Sequence, residues 1–357
     1  MNREKKICFI VPTLKMGGME RVISLLSNYA VGKGYCLYIV CLVSKDSFYY
    51  IDSNVHIVEP NFKYKKGFLN KMKLFYYLVK SLKQIKPNVV LSFSEVFNPF
   101  SIVCSKLAGI PIFISDRSSP NKKLGFITQL LRKIIYPFAN GMISQTELAR
   151  KNSLKKNYNH NITVIPNPLR EIENIYIKNK SNIIISVGRL IPIKNFKELI
   201  DIFYEVDIEK NWELWIIGDG PDKELLQNYI NSLMINDRVK LIGAVKNIDS
   251  YLAHGSIFCF TSLSEGFPNA LSEALAYPLP CIAYNCPAGP ADLIQNKKNG
   301  FLIPMYEKET YKFYLKELMI NPLMRENLIK NYQDHRSKYH INTISEQYIS
   351  FILQKEI

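Results

Sequence analysis

Short, nearly continuous apolar runs recur along the chain, each followed by a polar loop and then by residues at helical spacing. Ile7–Pro12, Tyr35–Leu42, Val55–Val58, Val89–Phe93, Ile112–Ile114 and Gly141–Ser144 read as strands. Between them, a helix is predicted from about Met19 to Tyr29, with Val22, Leu25, Leu26 and Tyr29 on one face, and another over Phe97–Leu107. Ile162–Pro168 is an extended segment with two prolines and marks a domain boundary. The alternation restarts at Asn182–Val187 and continues with a helix from about Phe196 to Val206, a strand at Trp212–Ile217 and a helix from about Asp222 to Leu233. Strands at Val239–Ile242, Ile257–Phe260, Pro280–Tyr284 and Gly300–Pro304 follow. Strands alternating with helices across short loops predict an α/β protein with a parallel, doubly wound sheet in each half. The expected division is residues 1–168, residues 169–340, and a last segment, residues 341–357, whose helix from about Thr343 to Gln354 can return to the first domain.

Charge changes this picture more than composition does. Residues 1–168 carry 25 Lys and Arg against 8 Asp and Glu, and the remainder 21 against 23, so the first half holds all of the net +15. Eight lysines and no acid lie between Asn61 and Pro87, where Phe68, Met72, Phe75, Tyr76, Val79 and Leu82 recur at helical spacing. Lys122 to Ala139 repeats the theme, with Lys122, Lys123, Arg132 and Lys133 among leucines, isoleucines and phenylalanines. Basic amphipathic stretches with aromatics suit an anionic membrane surface; equally, such a helix packs its apolar face on the sheet and leaves its lysines solvated. No apolar run reaches the roughly 18 residues of a spanning helix, and Met1–Lys6 leads straight into a strand without a signal-peptide pattern. The seven cysteines form no Cys-x-x-Cys pair and the five histidines are scattered, so neither disulfides nor a metal site is expected, and a cytoplasmic setting is.

The chemistry concentrates at predicted strand ends. Glu265 follows the strand Ile257–Phe260, Pro268 stands where a helix begins, and Glu273 lies about one turn into that helix. Carboxyl ends of strands in open α/β sheets are where ligands bind; alternatively, Glu265 is favoured by the helix dipole and Glu273 is solvated. Arg189 and Lys194, the turn Gly218-Asp219-Gly220, and Gly243 stand at three further strand ends. Two cations beside a helix amino terminus supply what a diphosphate requires without a metal. Gly17-Gly18, between the first strand and helix, lets backbone approach a ligand closely or makes a tight turn, and its spacing is not the dinucleotide fingerprint.

Val187-Gly188-Arg189-Leu190 with Lys194-Asn195, then Ile217-Gly218-Asp219-Gly220-Pro221, then Glu265-Gly266-Phe267-Pro268-Asn269 with Glu273-Ala274 resemble the carboxyl-terminal half of family 4 glycosyltransferases. Gly17-Gly18-Met19-Glu20-Arg21 resembles the amino-terminal glycine loop of that family, and the motifs occur in order over most of the chain. The resemblance implies a GT-B fold of two Rossmann-like domains facing a cleft, and a retaining, metal-independent transfer from a nucleoside-diphosphate sugar. It implies that Arg189 and Lys194 bind the diphosphate, that Glu265 contacts donor-sugar hydroxyls beside Gly266, Phe267, Pro268 and Asn269, and that Glu273 contacts the ribose. Gly17 and Gly18 would face phosphate and sugar, and Gly218 and Gly243 the base. Many members place a histidine after the strand equivalent to Ile112–Ile114; here Asp116-Arg117-Ser118 stand instead, as in bacterial surface-polysaccharide members. Arg117 would take an acceptor diphosphate and Asp116 would orient a hydroxyl.

The expectation is therefore a hexosyltransferase at the inner face of the cytoplasmic membrane that moves a hexose or N-acetylhexosamine to an undecaprenyl-diphosphate-linked glycan in O-antigen or capsule assembly. A UDP-sugar is the favoured donor, no cofactor is required, and other polysaccharide-assembly enzymes are compatible partners. The alternatives are a GDP-mannose-dependent mannosyltransferase of the same fold, and a non-catalytic basic protein binding membrane or nucleic acid. No nucleic-acid-binding motif supports the last.

Overall fold

Alternate side chains of the first strand point into two different apolar layers, and that fixes the architecture of the first unit. In the computed structural model, which describes residues 5–15, 17–63, 67–122, 124–172, 181–207 and 209–354, strand β1 (Lys6–Val11) sends Ile7, Phe9 and Val11 into one layer and Cys8 and Ile10 into the other. A strand buried on both faces needs helices on both sides, which parallel crossovers supply.

The chain forms two compact units, Met1–Arg170 with Tyr339–Ile357, and Glu171–Lys338. The first runs β1, α1 (Gly18–Gly32), β2 (Cys36–Cys41), β3 (His56–Val58), α2 (Phe68–Ile85), β4 (Val89–Phe93), α3 (Asn98–Leu107), β5 (Ile112–Ser115), α4 (Phe126–Ile135), β6 (Gly141–Ser144), α5 (Glu147–Lys155) and β7 (Ile162–Val164). Its seven strands are parallel in the order β3-β2-β1-β4-β5-β6-β7. Helices α2 and α3 contribute to one apolar layer and α1 to the other.

The second unit runs β8 (Ile183–Val187), α6 (Phe196–Val206), β9 (Glu213–Ile217), α7 (Lys223–Ser232), β10 (Val239–Gly243), α8 (Asp249–His254), β11 (Ile257–Phe260), α9 (Asn269–Leu275), β12 (Cys281–Tyr284), α10 (Pro290–Leu293), β13 (Gly300–Ile303), α11 (Lys308–Ile320), α12 (Pro322–Leu328) and α13 (Tyr332–Lys338). Its parallel sheet has the order β10-β9-β8-β11-β12-β13. Leu199, Ile200 and Phe203 of α6, Leu226 and Ile230 of α7, and Tyr311, Leu315 and Leu318 of α11 pack together on one face of it. Two Rossmann-like parallel-sheet units are what the GT-B resemblance implies.

Helix α14 (Ile341–Leu353) then belongs to the first unit again. Ile344, Tyr348, Ile349 and Ile352 enter the α1 layer, Phe351 meets Phe113 edge-on at 5.2 Å, and Tyr29 donates to Glu346 at 2.7 Å.

Several elements refine the sequence reading. Pro268 stands at the start of α9 as expected, one residue before its first turn, and its carbonyl accepts the first helical bond, from the Ser272 amide at 3.0 Å. The prolyl ring fits there because φ is −82°. Helix α2 packs only part of the expected stripe, Leu82 with Phe75 and Val79. Leu74, Leu78, Leu82 and Ile85 are buried, whereas Phe68, Met72 and Tyr76 project into solvent with the lysines. Helix α5 was not anticipated; it begins at Thr146, whose hydroxyl accepts from the Ala149 amide.

Ile349 is fully buried between α14 and the first sheet. Ile349→Ala is expected to destabilise the first unit by about 2–5 kcal/mol, read as a lowered denaturation midpoint.

Candidate active site

In each sheet the strand order reverses at one point, and ligands in such sheets bind at the carboxyl ends flanking that reversal. In the second unit it lies between β8 and β11. The loop after β8 carries Arg189 and Lys194, and the loop after β11 carries Glu265. Lys194 Nζ lies 2.5 Å from Glu265 Oε1, closing an ion pair across the reversal point; both side chains are largely buried.

The backbone fixes this pair from both sides. Thr261 Oγ1 donates to the carbonyls of Lys194 and Asn195 at 3.1 and 3.3 Å, and the Leu263 amide donates to Ile193 at 2.8 Å. Asn195 adopts a left-handed conformation (φ 57°) and bonds Glu198, which also accepts from Tyr284 at 2.5 Å. The loop is thereby stitched to strand β12. Arg189, by contrast, is exposed and makes no side-chain hydrogen bond or ion pair among the described residues.

Neighbouring strand ends complete the wall. The Gly218 amide donates to Gly243 at 2.9 Å, and the Leu190 amide to Asp219 at 3.0 Å, so the loops after β8, β9 and β10 are tied in a row. Gly218 sits at φ 145°, where an added Cβ would strike the Gly188 carbonyl. Gly243 also has positive φ (84°) but faces open space. In the motif after β11, Gly266 and Asn269 are partly exposed, Phe267 is buried and Glu273 lies buried on α9.

Two features of this wall escaped the sequence reading. The loop after β12 passes beside the ion pair: burial, then the charge of Glu265, pushes the Cys286 thiol up to about 12. Ala288 and Gly289 take positive φ, and Gly289 packs directly on the Pro268 ring. Behind α9, His335 Nε2 lies 3.0 Å from the Ser272 carbonyl and 3.2 Å from its hydroxyl. Neither carried a signal beyond a lone cysteine and a scattered histidine.

In the first unit the reversal lies between β1 and β4. Gly17 is extended (φ −179°) and Gly18 opens α1; the Glu20 carboxylate folds back over Gly17 and accepts from Thr13 at 3.4 Å. Burial pushes Glu20 up.

The loop after β5 splits its side chains to opposite sides. Arg117 turns inward, donating to the Tyr348 hydroxyl of α14 at 2.9 Å and stacking over Phe93 at 5.5 Å, with Nε and Nη2 buried and unpaired. Asp116 turns toward α4: it pairs with Arg132 and accepts from Tyr136 at 2.7 Å and Asn98 at 3.1 Å. Both side chains are thus engaged inside the unit. Arg132 lies 4.6 Å from the Tyr158 ring centroid and 5.1 Å from that of Tyr136. It is the buried residue of α4, while Phe126, Ile127, Leu130 and Ile134 face outward.

Among the described residues there is no His, Cys, Asp and Glu cluster that could hold a metal, and no helix long and apolar enough to cross a membrane.

Comparison with known proteins shows the class to which this pair of parallel-sheet units belongs. The family model "Glycosyltransferase Family 4" matches residues 16–170 and "Glycosyl transferases group 1" matches residues 170–335. The chain belongs to the family 4 glycosyltransferases and is a hexosyltransferase. It is 25% identical over 361 aligned residues, 98% of each chain, to the Campylobacter jejuni α-1,4-N-acetyl-D-galactosaminyltransferase acting on GalNAc-GalNAc-diNAcBac-PP-undecaprenol. It is 30% identical over 258 residues, 67% of each chain, to the lipopolysaccharide 1,6-galactosyltransferase of Salmonella typhimurium. Anabaena HepE, solved in complex with UDP, superposes with a TM-score of 0.82 at 16% identity, covering 98% of this chain and 100% of that one.

Two outcomes follow from the buried groups. Burial lowers the His335 pKa to about 4, so the folded chain binds fewer protons than the unfolded chain below the ordinary imidazole value. Stability should fall as pH drops from 6.5 toward 5, with a slope of up to about 1.4 kcal/mol per pH unit from this group, and His335→Gln should flatten that part of a denaturation-versus-pH curve. Arg132→Met leaves Asp116 buried and unpaired, and should cost about 3–5 kcal/mol; pairing it with Asp116→Asn should recover most of the loss in the same unfolding assay.

Proposed function

We propose that the chain transfers a hexose or N-acetylhexosamine, with retention and without a metal, from a UDP-sugar to a lipid-diphosphate-linked oligosaccharide during bacterial surface-polysaccharide assembly. The Lys194–Glu265 pair at the reversal point of the second sheet carries this reading. A cation and a carboxylate held side by side are complementary to the two halves of a sugar diphosphate: phosphate oxygens on one side, sugar hydroxyls on the other.

In this mechanism the donor diphosphate draws Lys194 away from Glu265 and recruits the exposed Arg189. Both cations then stabilise charge developing on the leaving diphosphate, the largest contribution expected from fixed groups. Glu265, released from the lysine, accepts from donor-sugar hydroxyls alongside the Gly266–Asn269 backbone. Glu273 takes the ribose, and Gly218 and Gly243 leave room for the base. Within the first unit, Gly17 and Gly18 let phosphate and sugar approach the backbone, with Glu20 moving off Gly17. The neutralising charge comes from protein cations, which is why no metal is invoked. UDP is preferred because HepE carries it, and an undecaprenyl-diphosphate acceptor because the Campylobacter relative acts on one.

The same reading places the enzyme on an anionic membrane surface at the cytoplasmic side, where such an acceptor resides. Helix α4 supports this: its apolar residues face solvent and its arginine faces the interior, the reverse of a helix packed on a sheet. The outward Phe68, Met72 and Tyr76 of α2, set among lysines, add to it. Such lysines contribute on the order of 1 kcal/mol each near an anionic leaflet.

Glu265→Gln should reduce transfer from the donor by about 100-fold or more and, because it leaves Lys194 without its buried partner, lower the melting temperature while the chain stays folded; unaltered turnover would remove Glu265 from the site. UDP should raise the wild-type melting temperature, and Lys194→Ala should abolish that shift. The wild-type chain should float with vesicles containing anionic lipid at moderate salt, and Phe126→Ser/Ile127→Ser should remain at the bottom of the gradient.

A further inference from the structure

Glu95 has no role in the site as described so far, yet the fold presents it deliberately. It stands at the turn from β4 into α3, directly after Ser94, which is held at φ 108°. A serine rarely occupies that region, and such strain persists only where the surroundings over-determine it. The Ser94 carbonyl accepts from the amides of Phe97 and Asn98 at 3.1 and 2.8 Å, so strand becomes helix within a few residues. This elbow brings Glu95 to the carboxyl edge of the sheet, on the strand that flanks the order reversal between β1 and β4.

The carboxylate is 6% exposed and still ionised. Burial pushes its pKa up, but the Ser118 hydroxyl, the amides of Glu95 and Arg117, and Lys122 together hold it below the ordinary value. Ser118 Oγ donates to Oε1, and Lys122 Nζ stands 3.7 Å from the same oxygen on an exposed side chain. The other acids of this edge are differently engaged: Asp116 with Arg132, Glu20 over Gly17. Glu95 is therefore a buried negative charge sustained chiefly by neutral donors. A charge so held strongly accepts hydrogen bonds from neutral hydroxyls and repels phosphate.

We propose that Glu95 binds a hydroxyl of the acceptor sugar and orients it for attack, a role that rests on the glycosyltransfer reading above. The elbow thereby takes the sugar of the acceptor and not its diphosphate. Glu95 is the residue on the acceptor side that touches the reacting partner, and Ser118 and the Arg117 amide keep its carboxylate charged and in place.

The test compares wild type, Glu95→Gln and Glu95→Asp with UDP-N-acetylgalactosamine, UDP-N-acetylglucosamine and UDP-galactose in parallel. The acceptor is a short-chain polyprenyl-diphosphate trisaccharide of N-acetylhexosamines. Hydrolysis of the donor by water, transfer to the acceptor and the melting curve are each measured. Glu95→Gln should keep wild-type donor hydrolysis and melting temperature, raise the acceptor KM, and lower transfer kcat/KM by about 10- to 100-fold, the loss of one charge-assisted hydrogen bond. Glu95→Asp should recover part of it. An active wild type with an indifferent Glu95→Gln overturns the assignment. So does a Glu95→Gln that loses hydrolysis and transfer equally, since the defect would then not belong to the acceptor. A wild type that neither hydrolyses nor transfers any of the three sugars overturns the glycosyltransfer reading for these donors and this role with it.

Discussion

The ion pair between Lys194 and Glu265 joins the two loops that the second sheet's strand order holds apart. Either charge alone at that depth would carry a desolvation penalty that a parallel sheet edge cannot offset. Paired, they satisfy each other, and the hydrogen bonds from Thr261 and Leu263 tie the backbones that present them. The pair is thus internally neutral where the two loops meet. In the proposed reaction the donor diphosphate exchanges one partner for another there, and the balance between pair and ligand sets affinity more than either charge does by itself.

The first unit meets its electrostatic requirements in a different way. Its excess of positive charge is displayed outward on α2, whereas the arginine of α4 is taken inside to meet Asp116 between two tyrosine rings. That inward anchor is what allows α4 to show its leucines, isoleucines and phenylalanine to solvent without detaching from the sheet. Polar groups fasten the helix and apolar groups remain for another surface.

The sequence made the sheets legible because strands buried on both faces are short apolar runs with little competition from other readings. The strand-end motifs were legible for the same reason, as their loops follow those runs. Helix faces were harder. On α2 two apolar stripes overlap, and spacing alone could not say that Leu74, Leu78 and Ile85 pack while Phe68 and Tyr76 project. Arg117 and Asp116 look alike in a polar loop, and only the backbone decides that one meets α14 and the other α4. Helix α5 left a readable signal in Thr146, a capping residue before Glu147. The wall formed by Cys286 and Gly289 left none, since its meaning depends on Pro268, about twenty residues earlier, arriving beside it.

Helix α14 gives the first unit a break in its own sequence: the residues completing the α1 layer are made only after the entire second unit. During synthesis, which proceeds from the amino terminus, the second unit can close as soon as α13 emerges, while the first waits with Phe113, Tyr29 and one side of β4 uncovered. The contacts that finish it are far apart along the chain, 231 positions between Arg117 and Tyr348 and 317 between Tyr29 and Glu346, and such long-range closures are slow. The order of birth is therefore inverted. The unit that comes first in this sequence is the last to become a folded body, and the emergence of α14 decides when it does.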